Sequence, residues 1–200
     1  MSKTIEFFYD CSSPWTYLAF SRIEEIAARH GARLVFKPFL VGGVFNAVNP
    51  SVYESRTKPV KAKSAYYTKD LIDWSRFYGL RINPRPTVFP VNSVKAMRGA
   101  FVADEYGKIV PYSRRAFEAY WGEDRDIGQE TVLASIAAET GLDPEDFLRK
   151  IAAPEYKQKL FANTNELIER GGFGSPTIFV NDSMFFGNDR LILVEAELER

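Results

Sequence analysis

A strand, a helix and a second strand in quick succession narrow the fold of this chain more than any other feature. Thr4–Tyr9 is a β-prone, apolar run that halts at Asp10-Cys11-Ser12-Ser13. Pro14 then opens a stretch of helical period to His30, with Leu18, Ala19, Ile23, Ile26 and Ala27 on one face. Gly31 ends it, and Arg33–Phe39 reads as the second strand. Two strands joined through a helix pair in parallel by a right-handed crossover, which makes the start of the chain a βαβ unit.

The junction before the helix is a chemical feature in its own right. A helix N-terminus presents unpaired N–H groups and the positive end of the macrodipole. Ser13 with Pro14 therefore marks either an ordinary N-cap or a place that holds an anion. Disulfide oxidoreductases carry Cys-x-x-Cys there. Here the four residues are Ser13-Pro14-Trp15-Thr16, and Cys11 is the only cysteine of the chain, so a dithiol cycle is excluded. A single cysteine also points to a cytoplasmic setting. Cys11 lies at the strand's end, where thiols are usually buried and inert, and only the helix-terminal position receives the dipole.

Other totals remove whole classes of function. Lys+Arg and Asp+Glu are both 26, which argues against nucleic acid or an anionic membrane as the main partner. No apolar run reaches the length of a membrane span, and no leader pattern opens the chain. His30 is the only histidine, which rules out a multi-histidine metal site; followed by Gly31, it reads as a helix C-cap.

Beyond the βαβ unit, Leu40–Ser64 breaks into Gly42-Gly43, Asn49-Pro50 and Lys58-Pro59 and reads as a surface connector. Helices follow over Ala62–Tyr78, Val91–Gly107, Pro111–Trp121, Gly128–Gly141, from Asp143-Pro144 onward, and Pro154–Arg170. The three prolines of Asn83–Pro90 exclude regular structure. Thr177–Val180 and Met184–Phe186 then form a hairpin about Asn181-Asp182, and Asp189–Arg200 closes as a helix. The fold class expected is α/β: a sheet domain (βαβ…ββα) from 1–48 and 171–200, interrupted by an all-helical insertion at 49–170. Just before the third strand, Gly171–Thr177 (GGFGSPT) runs into Ser175-Pro176. This is either a tight turn or a cis-proline segment whose outward backbone groups pair with an extended ligand.

Taken together, the two loops and the helical block between them resemble a thioredoxin-like fold of the DsbA type. Within that group the chain resembles the 2-hydroxychromene-2-carboxylate isomerase family, relatives of kappa-class glutathione transferases. The matching stretches are FFYDCSSPWTYLA, VGGVFN (Val41–Asn46), FPVNSVKAMR (Phe89–Arg98), AYWGED (Ala119–Asp124), GSPT and FGNDRL, in that order over essentially the whole chain.

The resemblance implies glutathione as cofactor, and a substrate that is a small aromatic ketoacid in equilibrium with its cyclic hemiketal. Ser13 matches the serine whose hydroxyl donates to the glutathione sulfur. Ser175 and Pro176 match the backbone that pairs with the cysteinyl part. Asp189 and Arg190 match the segment that holds the γ-glutamyl end, Lys63 a lysine that reaches the glycyl carboxylate, and Asn49 a further binding position. Phe45, Trp74, Trp121 and Arg98 stand as candidates for the face that meets the aromatic acid. The implied reaction converts 2-hydroxychromene-2-carboxylate to trans-o-hydroxybenzylidenepyruvate in naphthalene-type catabolism, and the implied assembly is a homodimer. A kappa-type transferase with another acceptor, and a thioredoxin-like binding module without chemistry, are the competing expectations.

Overall fold

The computed structural model describes residues 3–200, so the first two residues of the expected sheet domain lie outside it. β1 (Thr4–Tyr9), α1 (Pro14–Arg29) and β2 (Arg33–Pro38) form the expected parallel unit, in register Thr4↔Arg33 to Tyr9↔Pro38. β3 (Thr177–Val180) pairs antiparallel with β1, and β4 (Ser183–Phe186) with β3, which makes the strand order β2-β1-β3-β4. Asn181 takes the hairpin's left-handed position at φ 52°, a conformation asparagine tolerates better than most residues.

Alternation along β1 divides the core into two layers. Ile5, Phe7 and Tyr9, with Ile178 and Val180, face α1 and the helical block. Phe8 and Phe179 face the other side, packing with Phe39, Val44 and Leu167. The first layer continues without a break from the sheet through Phe20 and Phe117 to Tyr112, Trp121 and Leu133. Tyr9 joins the two parts by a buried hydroxyl pair with Ser113 at 2.7 Å.

Between β2 and β3 the described residues are helical or irregular. α4 (Lys61–Tyr78) ends on Gly79 in the left-handed region, and α5 (Val94–Glu105), α7 (Glu130–Glu139), α8 (Pro144–Ala152) and α9 (Pro154–Glu169) lie where periodicity places them. Asp143 caps α8 by accepting from the Asp146 N–H at 2.7 Å. α6 (Ile109–Phe117) begins before Pro111 and passes into a π turn at Glu118–Gly122. The closing helix α10 (Leu191–Glu199) is preceded by a 3₁₀ turn, Asn188–Arg190. No helix among the described residues is long and apolar enough to cross a membrane.

One expectation is corrected. The stretch from Leu40 is not an irregular connector: it holds α2 (Val41–Val48) and α3 (Ser51–Thr57). Two glycines disfavour a helix locally, but the Val41 N–H is taken up by Asp10 Oδ2 at 2.9 Å and the Leu40 N–H by Thr164 Oγ1 at 3.1 Å. Both partners come from elsewhere in the chain, so the local pattern carries no sign of them.

Gly99 shows how closely the helical block is packed. A Cβ at this position of α5 runs into the Tyr112 hydroxyl and the Phe147 ring, while the Tyr112 hydroxyl donates to the Ala96 carbonyl at 3.0 Å. Gly99→Ala should lower stability by about 1–3 kcal/mol through overpacking, seen as a lower denaturant midpoint at unchanged slope. An unaltered midpoint would mean that Tyr112 and Phe147 can move aside.

Candidate active site

Ser13 sits as the N-cap of α1 in an extended conformation (φ −104°, ψ 122°), with Pro14 at the first helical position. Its hydroxyl accepts the Thr16 N–H at 3.3 Å and donates to the Ser175 carbonyl at 3.1 Å. Pro14 brings no N–H, and that of Trp15 has no intrahelical acceptor. The first turn contains no acidic residue, so the positive end of a 16-residue helix faces the Ser13 side of the site uncompensated.

The Ser175–Pro176 peptide is cis, as one of the two readings of GGFGSPT expected. Ser175 is buried, and its hydroxyl pairs with Thr16 Oγ1 at 2.7 Å and accepts the Asp10 N–H at 3.1 Å. Ser13, Thr16 and Ser175 thus form one cluster of hydroxyls at the N-terminus of α1. Behind it Asp10 is fully buried. Burial pushes its carboxyl up, against hydrogen bonds from the Ser12 and Val41 N–H groups and the Ser93 side chain.

The remaining expected residues are tied to this cluster through intermediates. The Asn49 amide donates to the Phe173 carbonyl at 3.1 Å, two residues before Ser175. The Gly187 N–H donates to the Pro176 carbonyl at 3.1 Å, and Gly187, at φ 95°, turns the chain into Asn188–Arg190. Asp189 and Arg190 form an exposed ion pair on that turn. Asn188 beside them is buried, and its Nδ2 has no acceptor among the described residues. Lys63 is exposed in the first turn of α4, and no described carboxylate pairs with it. One turn further on, Tyr67 accepts the Trp15 indole N–H at 3.0 Å, its ring edge-on at 5.2 Å between centroids. This contact brings the start of α4 to the N-terminus of α1.

The four candidates for the acceptor face separate clearly. Trp121 is buried and donates its indole N–H to the Cys11 carbonyl at 2.9 Å. Arg98 donates to the Ile151 carbonyl at 3.3 Å. Trp74 packs on Phe77 and Tyr78 at the other end of α4 from Lys63. Phe45, on α2, packs edge-on against Tyr53 at 6.4 Å and 90°. One residue that periodicity and spacing did not single out also belongs here: Asp10, which had a local signal as an acid ending an apolar strand.

These residues offer donors for anions and an acid for a cation. A hydroxyl and a helix N-terminus suit a thiolate; the unpaired Lys63 and the orphaned Asn188 amide suit carboxylates; Asp189 suits an ammonium. Cys11 does not compete with that role. It is buried, its backbone N–H points at Met97 Sδ at 3.3 Å, and burial, then the neighbouring Asp10 charge, push the thiol well above its ordinary value.

Comparison with known proteins shows the family and the fold. Residues 4–199 match the family described as a DSBA-like thioredoxin domain. A 2-hydroxychromene-2-carboxylate isomerase from Pseudomonas sp. (strain C18) is 30% identical over 96% of this chain and 88% of its own. A glutathione S-transferase kappa 1 from Caenorhabditis elegans is 24% identical over 98% of this chain and 91% of its own. The solved structure of a 2-hydroxychromene-2-carboxylate isomerase superposes with a TM-score of 0.83 at 26% identity, covering 98% of this chain and 95% of the other.

The burial of Cys11 is open to direct measurement. Iodoacetamide should alkylate the native protein more than about a hundredfold more slowly than the guanidinium-unfolded chain at the same pH. Equal rates would show that the thiol reaches solvent.

Proposed function

This chain belongs to the DSBA-like thioredoxin family and, within it, to the 2-hydroxychromene-2-carboxylate isomerase family, and we propose that it is a glutathione-dependent cis–trans isomerase. Its proposed reaction converts 2-hydroxychromene-2-carboxylate to trans-o-hydroxybenzylidenepyruvate. The observation that carries this reading is Ser13: a hydroxyl at the N-cap of α1, facing the Ser175 carbonyl at 3.1 Å, in a first turn without cysteine. The same reading places the enzyme in the cytoplasm as a homodimer.

Glutathione, when bound, supplies a thiolate that adds to a conjugated alkene and leaves again, making the bond single for long enough to rotate. Ser13 and the first turn of α1 favour the ionised sulfur, by one hydroxyl donor and by the uncompensated dipole. To donate to sulfur, the Ser13 hydroxyl gives up the Ser175 carbonyl and keeps the Thr16 N–H, so the capping bond survives. Thr16 and Asp10 hold Ser175 still during that exchange. Lys63, Asn49 and the Asn188–Arg190 turn would hold the charged ends of the tripeptide, and the cis segment before Thr177 its central residue. The same thiolate site would also serve a kappa-type transferase, which differs in leaving a stable adduct.

The test is an absorbance time course of 2-hydroxychromene-2-carboxylate with the purified protein, with and without glutathione. Conversion to the trans ketoacid only with glutathione is expected. Glutathione binding without conversion would move the function to a transferase, and conversion without glutathione would overturn the role of the thiol. Ser13→Ala should lower kcat roughly 10- to 100-fold, the worth of one hydrogen bond to a charged group, while the lost cap costs about 0.5–2 kcal/mol of stability. Unchanged turnover in that variant would leave the thiolate to backbone and dipole alone.

A further inference from the structure

We propose that Arg56, with the rings of Phe45, Tyr53 and Phe89, forms the subsite that receives the carboxylate of an aromatic acid and sets the preference for an acid over its neutral analogue. The proposal rests on the isomerase reading only in taking that acid to be the acceptor. The segment Val41–Lys63 carries Arg56, Lys58, Lys61 and Lys63 against a single acid, Glu54, in a chain whose net charge is zero. None of those four cations has a carboxylate partner among the described residues. α3 buries no side chain, so nothing in its packing requires Arg56 to fold back on the protein. Its guanidinium nevertheless lies over three rings, 5.9 Å from the centroid of Phe45, 5.9 Å from Tyr53 and 5.4 Å from Phe89.

Those rings come from three segments: α2, α3 and the proline-rich loop before α5. Ring faces attract the charge but leave the N–H edge of the guanidinium without acceptors. A planar fork with free N–H groups matches a carboxylate in bidentate geometry. Tyr53 and Phe89 are 38% and 54% exposed, so ring surface beside the fork is open to a flat aromatic ligand. A cation alone would suit any anion; a cation set among open aromatic faces suits an aromatic acid.

The cluster also neighbours both halves of the Ser13 site. The Arg56 charge acts on Tyr67, whose hydroxyl holds the Trp15 indole two residues beyond Ser13. Phe45 lies on α2, which ends at Asn49, and Asn49 is bonded to Phe173 just before Ser175. An acid held at Arg56 would therefore lie beside the reacting end of the site.

The test is equilibrium binding of trans-cinnamate and of neutral cinnamamide to the full chain by calorimetry, for the wild type, Arg56→Gln and Arg56→Lys. The wild type should bind the acid about tenfold or more tightly than the amide, the effect of one charge-assisted bond. Arg56→Gln should erase that difference without weakening the amide, and Arg56→Lys, which keeps charge but loses the fork, should fall between. No preference for the acid in the wild type, whether both ligands bind alike or neither binds, overturns the proposal. So does a preference that survives Arg56→Gln. Absence of isomerase turnover alongside an Arg56-dependent acid preference would overturn the isomerase reading and leave the subsite standing.

Discussion

The site depends on one buried hydroxyl. Ser175 Oγ pairs with Thr16 from the first turn of α1 and accepts the N–H of Asp10 from the end of β1. A buried hydroxyl or N–H left without a partner costs about 1–3 kcal/mol, so the three groups hold one another in a single arrangement. That arrangement clamps the N-terminus of α1 against the cis-proline segment. It is also what brings the Ser13 hydroxyl to the Ser175 carbonyl. This chain has no dithiol there: one hydroxyl pair, Thr16 with Ser175, serves as structure, and a third hydroxyl, that of Ser13, is bonded to the Ser175 carbonyl.

Asp10 extends the same control outward. Its backbone N–H serves Ser175, while its carboxylate takes the N–H groups of Ser12 and Val41. Val41 begins α2, α2 carries Phe45, and its C-cap is Asn49. A buried carboxyl that burial pushes up is thus fixed by bonds that set both the strand–helix junction and the segment lying over it. The cations of Arg56–Lys63 stand at the opposite extreme, exposed and without carboxylate partners among the described residues. In a chain of zero net charge, this concentration of positive charge on one segment makes a locally positive surface.

Much of this fold was legible in the residues. β1 was bounded by the stop at Asp10, α1 by Pro14 and Gly31, α8 by Asp143-Pro144, and the hairpin by Asn181-Asp182, because in each case the signal lies within a few positions of the element it sets. α2 and α3 were not legible, since Gly42-Gly43 and Asn49-Pro50 read locally as breaks, and the groups that hold α2 come from Asp10 and Thr164. The π turn at Glu118–Gly122 escaped for a similar reason: the Trp121 side chain is bonded to Cys11 and its carbonyl receives the Asn83 N–H at 2.6 Å.

The candidate site divides along the same line. Ser13 and Ser175-Pro176 could be named from sequence because a cap and a proline are local devices, and the family resemblance added Asn49, Lys63, Asp189 and Arg190. That Trp121 and Arg98 face inward, that Trp74 lies at the wrong end of α4, and that Arg56 stands among three rings were decided by tertiary packing alone. Sequence by itself determined the strand–helix junction, the loss of the dithiol and the order of the elements, all of which follow from neighbouring residues. Which distant side chains share the site with Ser13 was decided only in the folded chain, where contacts between residues tens of positions apart are made.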